Sequence, residues 1–442
     1  MPKVILCHGV FDLVHPGHLE HLRQAKAMGD HLVVSITADR YVAKGPGRPL
    51  FTQKQRAAFL RALQPVDETY IVDDPTALPA IQYYQPSIYC KGPEYRNRQD
   101  GAFAQERAAV EAYGGEVRFT EGFTASSTSL INGYVPVLDR EPQEYIQSFK
   151  AKYTLEGVNH WLDQMAGLKA LVMGERITDC YHYLEPLGKS PKDSLISWQP
   201  IRTEQWDGGS AIIQEHLRGL GLDVSLDFGD NPPVVKRRYL WGPQQTKIFA
   251  IIDPPNIRPF HRAILEAPLS VVADFGHGMF TDISASLVAR CSEFLALTCQ
   301  TNSSNWGYNL LSKWPRADYI VADEEELRLT RHEKRWPLED LIETEAQRMG
   351  AKIFVVTQGH KGCLIWDGKE CRHVPALADR VADRLGAGDA FYAATAPLAF
   401  LGAPAEIIGL IGNLAGAIEV GAIGQKVLQR DELKKWLKGI LL

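Results

Sequence analysis

Short apolar runs alternate with longer amphipathic stretches from the first residues of this chain onward, and that alternation constrains the fold more than any other feature. "KVILC", "HLVVSIT", "ETYIV", "SIYC" and "EVRF" have the length of buried strands. "LEHLRQAKAMG", "QKQRAAFLRAL", a stretch near 75–84 and "AFAQERAAVEAYGG" lie between them with helical periodicity. Strands alternating with helices across short turns predict a parallel sheet covered by helices on both faces. This first α/β unit, Rossmann-like in pattern, is expected to occupy residues 1–134.

Residues 135–167 read as a helical connector, with "EPQEYIQSFKAKY" and "GVNHWLDQMAG" around a weaker "TLEG". A second α/β unit is expected over 168–442. It opens on the strand "KALVMGE" and runs through the helix of "GGSAIIQEHLRGLG". The strands "VVKRRYLW" and "TKIFAIID" around a "GPQQ" turn form a hairpin suited to a small β lid. "LSVVADFG", "YIVAD" and "KIFVVTQG" follow as strands, then the hairpin-like "GCLIWDGKEC" and two helices rich in small residues. At 442 residues the chain exceeds one ordinary core, which agrees with two domains.

The formal net charge of −5 argues against a general nucleic-acid or anionic-membrane surface, and leaves small anionic ligands in local basic pockets. Seven cysteines are scattered and never form a C-x-x-C pair, which points to a reduced, cytoplasmic protein rather than a disulfide scaffold or structural zinc site. The apolar run of "MPKVILCHG" is too short for a signal peptide, and no stretch reaches membrane-spanning length.

Two glycine-containing loops carry the chemistry. In "HGVFDLVHPGH" a strand ends in a loop and a helix begins at about His18. The first amides of that helix and its dipole make an anion site, and His15 and His18 can each donate to a phosphate oxygen. The stretch resembles the G-x-F-D-x-x-H-x-G-H signature of the cytidylyltransferase-like nucleotidyltransferases, here Gly9, Phe11, Asp12, His15, Gly17 and His18. The resemblance continues through "KGPGRPL" with Lys44, "QKQR" with Arg56, "YCKGPEYR" with Lys91, Gly92, Glu94 and Tyr95, and "TASSTSLI" with Ser127 and Thr128.

The resemblance implies direct in-line attack of a sugar or polyol phosphate on the α-phosphate of a nucleoside triphosphate held with Mg²⁺. His15 and His18 would steady the transition state; Lys44, Arg56 and Lys91 would neutralise phosphate charge; Ser127 and Thr128 would meet phosphate oxygens. Asp12 would orient a histidine or the substrate, or simply cap the loop. His8 stands where the heptose-type members of this family usually carry Asn.

"DRLGAGDAF" resembles the D-T-x-G-A-G-D signature of the ribokinase/PfkB sugar kinases. Gly386, Ala387 and Gly388 would wrap backbone amides around the transferring phosphate, and Asp389 would take the proton of the attacking hydroxyl. Similar matches imply sugar contacts at Asp179 in "VMGERITD", Gly208 and Gly209 in "WDGGSA", and Asp274 in "VADFGHGMF". "ADEEEL" stands in place of N-x-x-E, with Asp323 and Glu326 as candidates for organising Mg²⁺. The Asn that usually follows the double glycine is missing, and Arg384 replaces the Thr of the signature.

Together the two halves resemble the bifunctional heptose-7-phosphate kinase/heptose-1-phosphate adenylyltransferase family with its domain order reversed. The resemblance implies ATP as kinase substrate, ATP or CTP for the first domain, and a homodimer through the kinase lid. Two other readings stand beside it. One keeps both chemistries on another sugar or polyol with CTP. The other couples a nucleotidyltransferase to a catalytically weak, sugar-binding or dimerising kinase-like domain.

Overall fold

The computed structural model describes residues 2–42, 49–96, 101–121, 140–242, 246–253, 255–261, 267–378, 383, 385–421 and 424–441. The chain divides into two units, Met1–Asp139 with Lys435–Leu442, and Arg140–Lys434.

In the first unit the order is β1 (Val4–Gly9), α1 (Pro16–Lys26), β2 (His31–Thr37), α2 (Gln53–Arg61), β3 (Glu68–Val72), α3 (Leu78–Tyr84), β4 (Ile88–Lys91), α4 (Gly101–Ala112) and β5 (Glu116–Phe119). The strands form one parallel sheet in the order β3-β2-β1-β4-β5. Side chains alternate across it. Ile5, Cys7, Leu32, Val34, Ile88 and Cys90 pack with Leu22 and Leu60 of α1 and α2 on one face. Leu6, Val33 and Tyr89 pack with Ile81, Phe103 and Val110 of α3 and α4 on the other. Burial on both faces explains why these strands read as continuous apolar runs. The strand order reverses at β1, so a crevice opens at the carboxyl ends of β1 and β4, the place where open α/β sheets bind ligands.

The second unit begins with α5 (Arg140–Lys152) and α6 (Leu155–Gln164). It continues with β6 (Lys169–Gly174), β7 (Arg176–Lys189), β8 (Ile196–Gly209), α7 (Ser210–Gly219), β9 (Asp223–Asp227), β10 (Val234–Trp241), β11 (Thr246–Asp253), β12 (Leu269–Asp274), α8 (Asp282–Cys291) and β13 (Phe294–Cys299). Next come β14 (Tyr319–Asp323), α9 (Glu324–Arg331), α10 (Leu338–Met349), β15 (Ile353–Thr357), β16 (Cys363–Trp366), β17 (Cys371–Val374), α11 (Ala387–Leu401) and α12 (Ala405–Val420), and the last helix, α13 (Arg430–Leu441), begins in this unit and ends in the Lys435–Leu442 segment of the first. The main sheet has eight strands in the order β17-β16-β15-β14-β13-β12-β6-β9. It is parallel from β9 to β15, and β16 and β17 return antiparallel.

The helices of the expected connector pack on this unit: Lys152 Nζ lies 2.7 Å from Glu406 Oε1, and Tyr153 donates its hydroxyl to Glu406 Oε2 at 2.7 Å. The lid is larger than the expected hairpin. It is a four-stranded sheet, β11-β10-β7-β8, whose antiparallel β7–β8 pair spans 14 residues a side. Residues 176–209 show no clean apolar alternation because much of β8 is solvated, so that half was not legible. β13, "FLALTC", was also missed, since an apolar run beside a helix has no period of its own.

Candidate functional sites

The first site forms where β1 ends. The chain turns through Phe11 and Leu13 at φ 49° and 65°, left-handed values that non-glycine residues rarely adopt. A Cβ on Gly9 would come 3.0 Å from the Phe11 ring, so glycine lets that ring fold over the strand end. His15 then caps α1. Its Nδ1 accepts from Gly17 N at 3.1 Å, while His15 N donates to His18 Nδ1 at 3.4 Å. Both Nδ1 atoms are acceptors, so each neutral ring carries its proton on Nε2. The rings lie side by side, 3.9 Å between centroids. The result is a pair of imidazole donors at a helix N-terminus, where anions are favoured.

The surroundings hold that pair in place. Asp12, 1% exposed, accepts from Leu50 N at 2.9 Å and Phe51 N at 3.1 Å, tying the loop to the segment before α2. Arg56 is 2% exposed, and its guanidinium donates to the carbonyls of Val10, Thr37 and Phe51 and to Asp39. Those bonds place Arg56 beneath the loop rather than at its surface. Lys91, at the end of β4, sits 3.5 Å from Glu106 and over the rings of Tyr89 and Tyr95 at 4.9 and 4.7 Å. Gly92 starts the turn that follows it. His8 is a neutral strut between β1 and β2, with Nδ1 2.9 Å from Ser35 Oγ and Nε2 3.3 Å from Thr37 Oγ1. Burial, aided by the charge on Lys91, holds its pKa down at about 3. Lys44, Ser127 and Thr128 lie outside the described residues.

The second site lies at the head of α11. Gly386 caps the helix at φ 81°, and a Cβ there would meet Glu419 Oε1 at 2.9 Å. Ala387, Gly388 and Asp389 form the first turn, and the space beside Gly388 is open. Gln300 donates to Asp389 Oδ1 at 3.2 Å. Burial, with Asp179 nearby, pushes the Asp389 carboxyl up to about 7, the range a general base needs near neutral pH. Asp179, 3% exposed, rises from the base of the lid and pairs with Arg238 of β10. A Cβ on Gly208 would come 2.6 Å from Asp179 Oδ2, so that glycine makes room for the carboxylate. Gly209 caps α7 at φ 63°, with no room for a side chain against Glu175 O at 2.6 Å.

Asp274 has no exposed surface. It takes Trp314 Nε1 at 2.9 Å, Lys313 Nζ at 2.6 Å and Gly276 N at 3.1 Å, which places it under the site as an anchor of its own loop. Asp323 and Glu326 form a reciprocal cap of α9: Glu326 N donates to Asp323 Oδ1 at 2.7 Å, and Asp323 N to Glu326 Oε2 at 2.8 Å. Glu326 Oε1 accepts from Thr301 N at 3.1 Å. Burial, with Asp323 adding repulsion, raises the Glu326 pKa to about 8.

Several groups were not singled out from sequence. Glu175, one residue past β6, is buried and accepts backbone N–H bonds from Phe275, His277 and Met279, each at 3.1 Å. It shapes the loop that Asp274 anchors. Lys236 stands in register with Asp179 on β10, and burial lowers its pKa. Glu419 backs the glycine turn, raised to about 7 by burial. A charged residue inside an otherwise apolar strand end was the available signal for Glu175; Lys236 and Glu419 reach the site only through tertiary packing.

The two loops thus place a glycine-containing helix start at the carboxyl edge of each unit's own parallel sheet. Residues 6–152 match the cytidylyltransferase-like family model, and residues 300–429 match that of the pfkB family carbohydrate kinases.

Among curated proteins, the chain is similar to the bifunctional protein HldE of Helicobacter pylori strain P12, 36% identical over 129 residues, covering 28% of this chain and 26% of that protein. HldE of Gluconobacter oxydans is 38% identical over 134 residues, covering 30% and 27%. The chain therefore spans about a quarter of the length of the curated relatives it matches. Among solved structures, a ribokinase from Thermotoga maritima aligns with 61% of this chain and 99% of its own, at 17% identity and a TM-score of 0.46.

Proposed function

We propose that this chain is a bifunctional enzyme making a nucleotide-activated sugar. The first unit transfers a nucleotidyl group from a nucleoside triphosphate, ATP in the ADP-heptose reading, to a sugar phosphate with release of pyrophosphate. The second phosphorylates a sugar or sugar phosphate with ATP. The reading rests on one observation above others: a single chain carries both an imidazole-capped helix at a topological switch point and a glycine turn leading into a carboxylate raised to about 7.

In the first unit, the acceptor phosphate is already anionic and needs no base. The Nε2 protons of His15 and His18 would meet the charge that builds on the α-phosphate oxygens, and the α1 amides would add to it. Lys91 would supply positive charge from the opposite lip of the crevice. In the second unit, Asp389 would accept the hydroxyl proton while the amides of 386–388 hold the γ-phosphate. Asp179, whose charge acts on Asp389, and the glycines at 208 and 209 would supply the sugar contacts, with Asp274 supporting the loop behind them.

Mg²⁺ belongs to both reactions as companion of the nucleotide phosphates. Asp323 and Glu326 as they stand do not fit direct ligation, because both Glu326 oxygens and one Asp323 oxygen accept backbone N–H groups.

The proposed domains are 1–134 and 168–442, with the helices between them packed on the kinase. A homodimer through the lid is supported by the exposed Ile201, Trp241, Phe249 and Ile251 of that sheet. Small-molecule substrates and a cytoplasmic location complete the reading. Among the described residues no helix is long and apolar enough to cross a membrane.

The test is pyrophosphate release across ATP, CTP, GTP and UTP against a panel of sugar and polyol phosphates, run beside sugar-dependent ADP release. Turnover with ATP and heptose 1-phosphate supports the ADP-heptose form. Turnover only with CTP or another phosphate transfers the proposal to a different sugar. Silence in both assays overturns it.

A further inference from the structure

We propose that Cys7, His21 and Cys90 form a binding site for a thiophilic d¹⁰ cation of the Zn²⁺ class, inside the first unit and behind its phosphate loop. Cys7 on β1 and Cys90 on β4 are in register on adjacent parallel strands and share the face that α1 covers. Both are fully buried. His21, half-buried on the second turn of α1, completes a cluster whose ligand atoms all lie within 4.8 Å of one another.

Tetrahedral ligation at the usual Zn–S and Zn–N lengths places ligand atoms roughly 3.5–3.8 Å apart, so separations of up to 4.8 Å need to close by no more than about 1.3 Å. His21 Nδ1 is held by the Thr120 hydroxyl at 2.8 Å. A ring fixed through one nitrogen by an oxygen partner, with the other nitrogen left for the ion, is the usual setting of a metal-binding histidine.

Charge balance favours the same occupant. Binding replaces two S–H protons by one divalent cation, with water as the fourth ligand, Zn²⁺ + 2 Cys–SH + His + H₂O → Zn(Cys–S)₂(His)(OH₂) + 2 H⁺, so the loaded site carries no net charge. That suits its neighbours Ile5, Leu22, Val34 and Ile88, which would oppose burial of a lone ion. Packing alone explains two buried thiols, but not a histidine nitrogen within 4.8 Å of both on a ring oriented by the Thr120 hydroxyl. The ion would tie the carboxyl ends of β1 and β4, the two lips of the crevice, to the helix that carries His15 and His18. It would act as a structural clamp and not as a participant in transfer.

The experiment uses the full chain, stripped with chelator, kept in a phosphine reductant, and carrying Cys291→Ala and Cys371→Ala to remove the partly exposed thiols. Co²⁺ is titrated as a spectroscopic probe and then displaced with Zn²⁺. The expected result is one equivalent of Co²⁺ with thiolate-to-cobalt charge transfer, release of about two protons per ion at pH 7, and a Zn²⁺-dependent rise in Tm. His21→Ala should weaken binding at least about tenfold, and Thr120→Val by about tenfold through the lost orientation of the ring. Absence of the charge-transfer band, or a band that persists in Cys7→Ala and in His21→Ala, overturns the site. His21 lies on a half-exposed helix face, so its variant decides the matter even if the buried cysteine variants fail to fold.

Discussion

The two phosphate loops occupy equivalent places, each at the carboxyl edge of a parallel sheet, yet they are built from opposite materials. Among the described residues the first is lined by the imidazoles of His15 and His18, and its loop carboxylate, Asp12, accepts from Leu50 N and Phe51 N. The second is ringed by carboxylates, Asp389, Asp179 and Glu419, that burial and mutual repulsion hold near protonation at Asp389 and Glu419. On the proposed function, the contrast follows from the nucleophiles. A phosphate arrives charged and asks only for stabilisation of the charge that moves. A hydroxyl must lose a proton, so its site needs a base of suitable pKa.

The sharpest break of that comparison is Asp389→Asn, expected to lower sugar-dependent ADP release by about 10³-fold or more while pyrophosphate release is unchanged. Equal loss in both assays would show that the two sites are not chemically separate. His18→Ala should do the reverse, with pyrophosphate release down about 10²-fold and ADP release intact.

Arg56→Ala tests whether that residue is scaffold. Removing a buried guanidinium from its carbonyl and Asp39 partners should destabilise the first unit by about 3 kcal/mol, read by denaturant unfolding. Normal stability with a raised KM for nucleotide would instead return Arg56 to direct phosphate contact.

The pH profiles should differ by a smaller margin. Asp389 accepts a proton only when ionised, so the kinase rate should fall about tenfold per unit below about pH 7. Pyrophosphate release should lack that break. Stability of the first unit has its own sign. His8 and His21, held at about 3 and about 4, contribute stability that is present above their unfolded value and lost as pH falls from about 6.5 toward 4. Hydrogen exchange of β1 amides should therefore accelerate in that window. The smallest effect is reserved for His8→Asn, which should keep transfer within about threefold and slow that acid-side exchange, because it removes a group that must stay uncharged.

Much of this was legible because local pattern and tertiary role coincided. β1, β2 and β4 are legible since strands buried on both faces are apolar almost throughout, the edge strands β3 and β5 since each lies between a helix and a turn, and "HPGH" and "GAGD" read as anion sites since a helix start is a local event. The four-stranded lid was only half legible, because β8 is largely solvated and takes its order from β7 rather than from its own residues. The phosphate, sugar and Mg²⁺ roles of Arg56, Asp274, Asp323 and Glu326 are what the family motifs imply. What each one does is set by what surrounds it, and for these four the nearest partners are the protein's own backbone and side chains.

The sequence by itself determined two parallel α/β units, the place of each glycine-containing loop, and the residue types at each helix start. These depend on periodicity and on helix caps, which act over a few residues. Tertiary structure alone decided that Asp389 sits near neutrality, that Glu175 and Glu419 stand behind the kinase loop, and that Cys7, His21 and Cys90 meet. Those facts depend on desolvation and on distances between segments far apart in the chain, quantities that no local pattern of residues encodes.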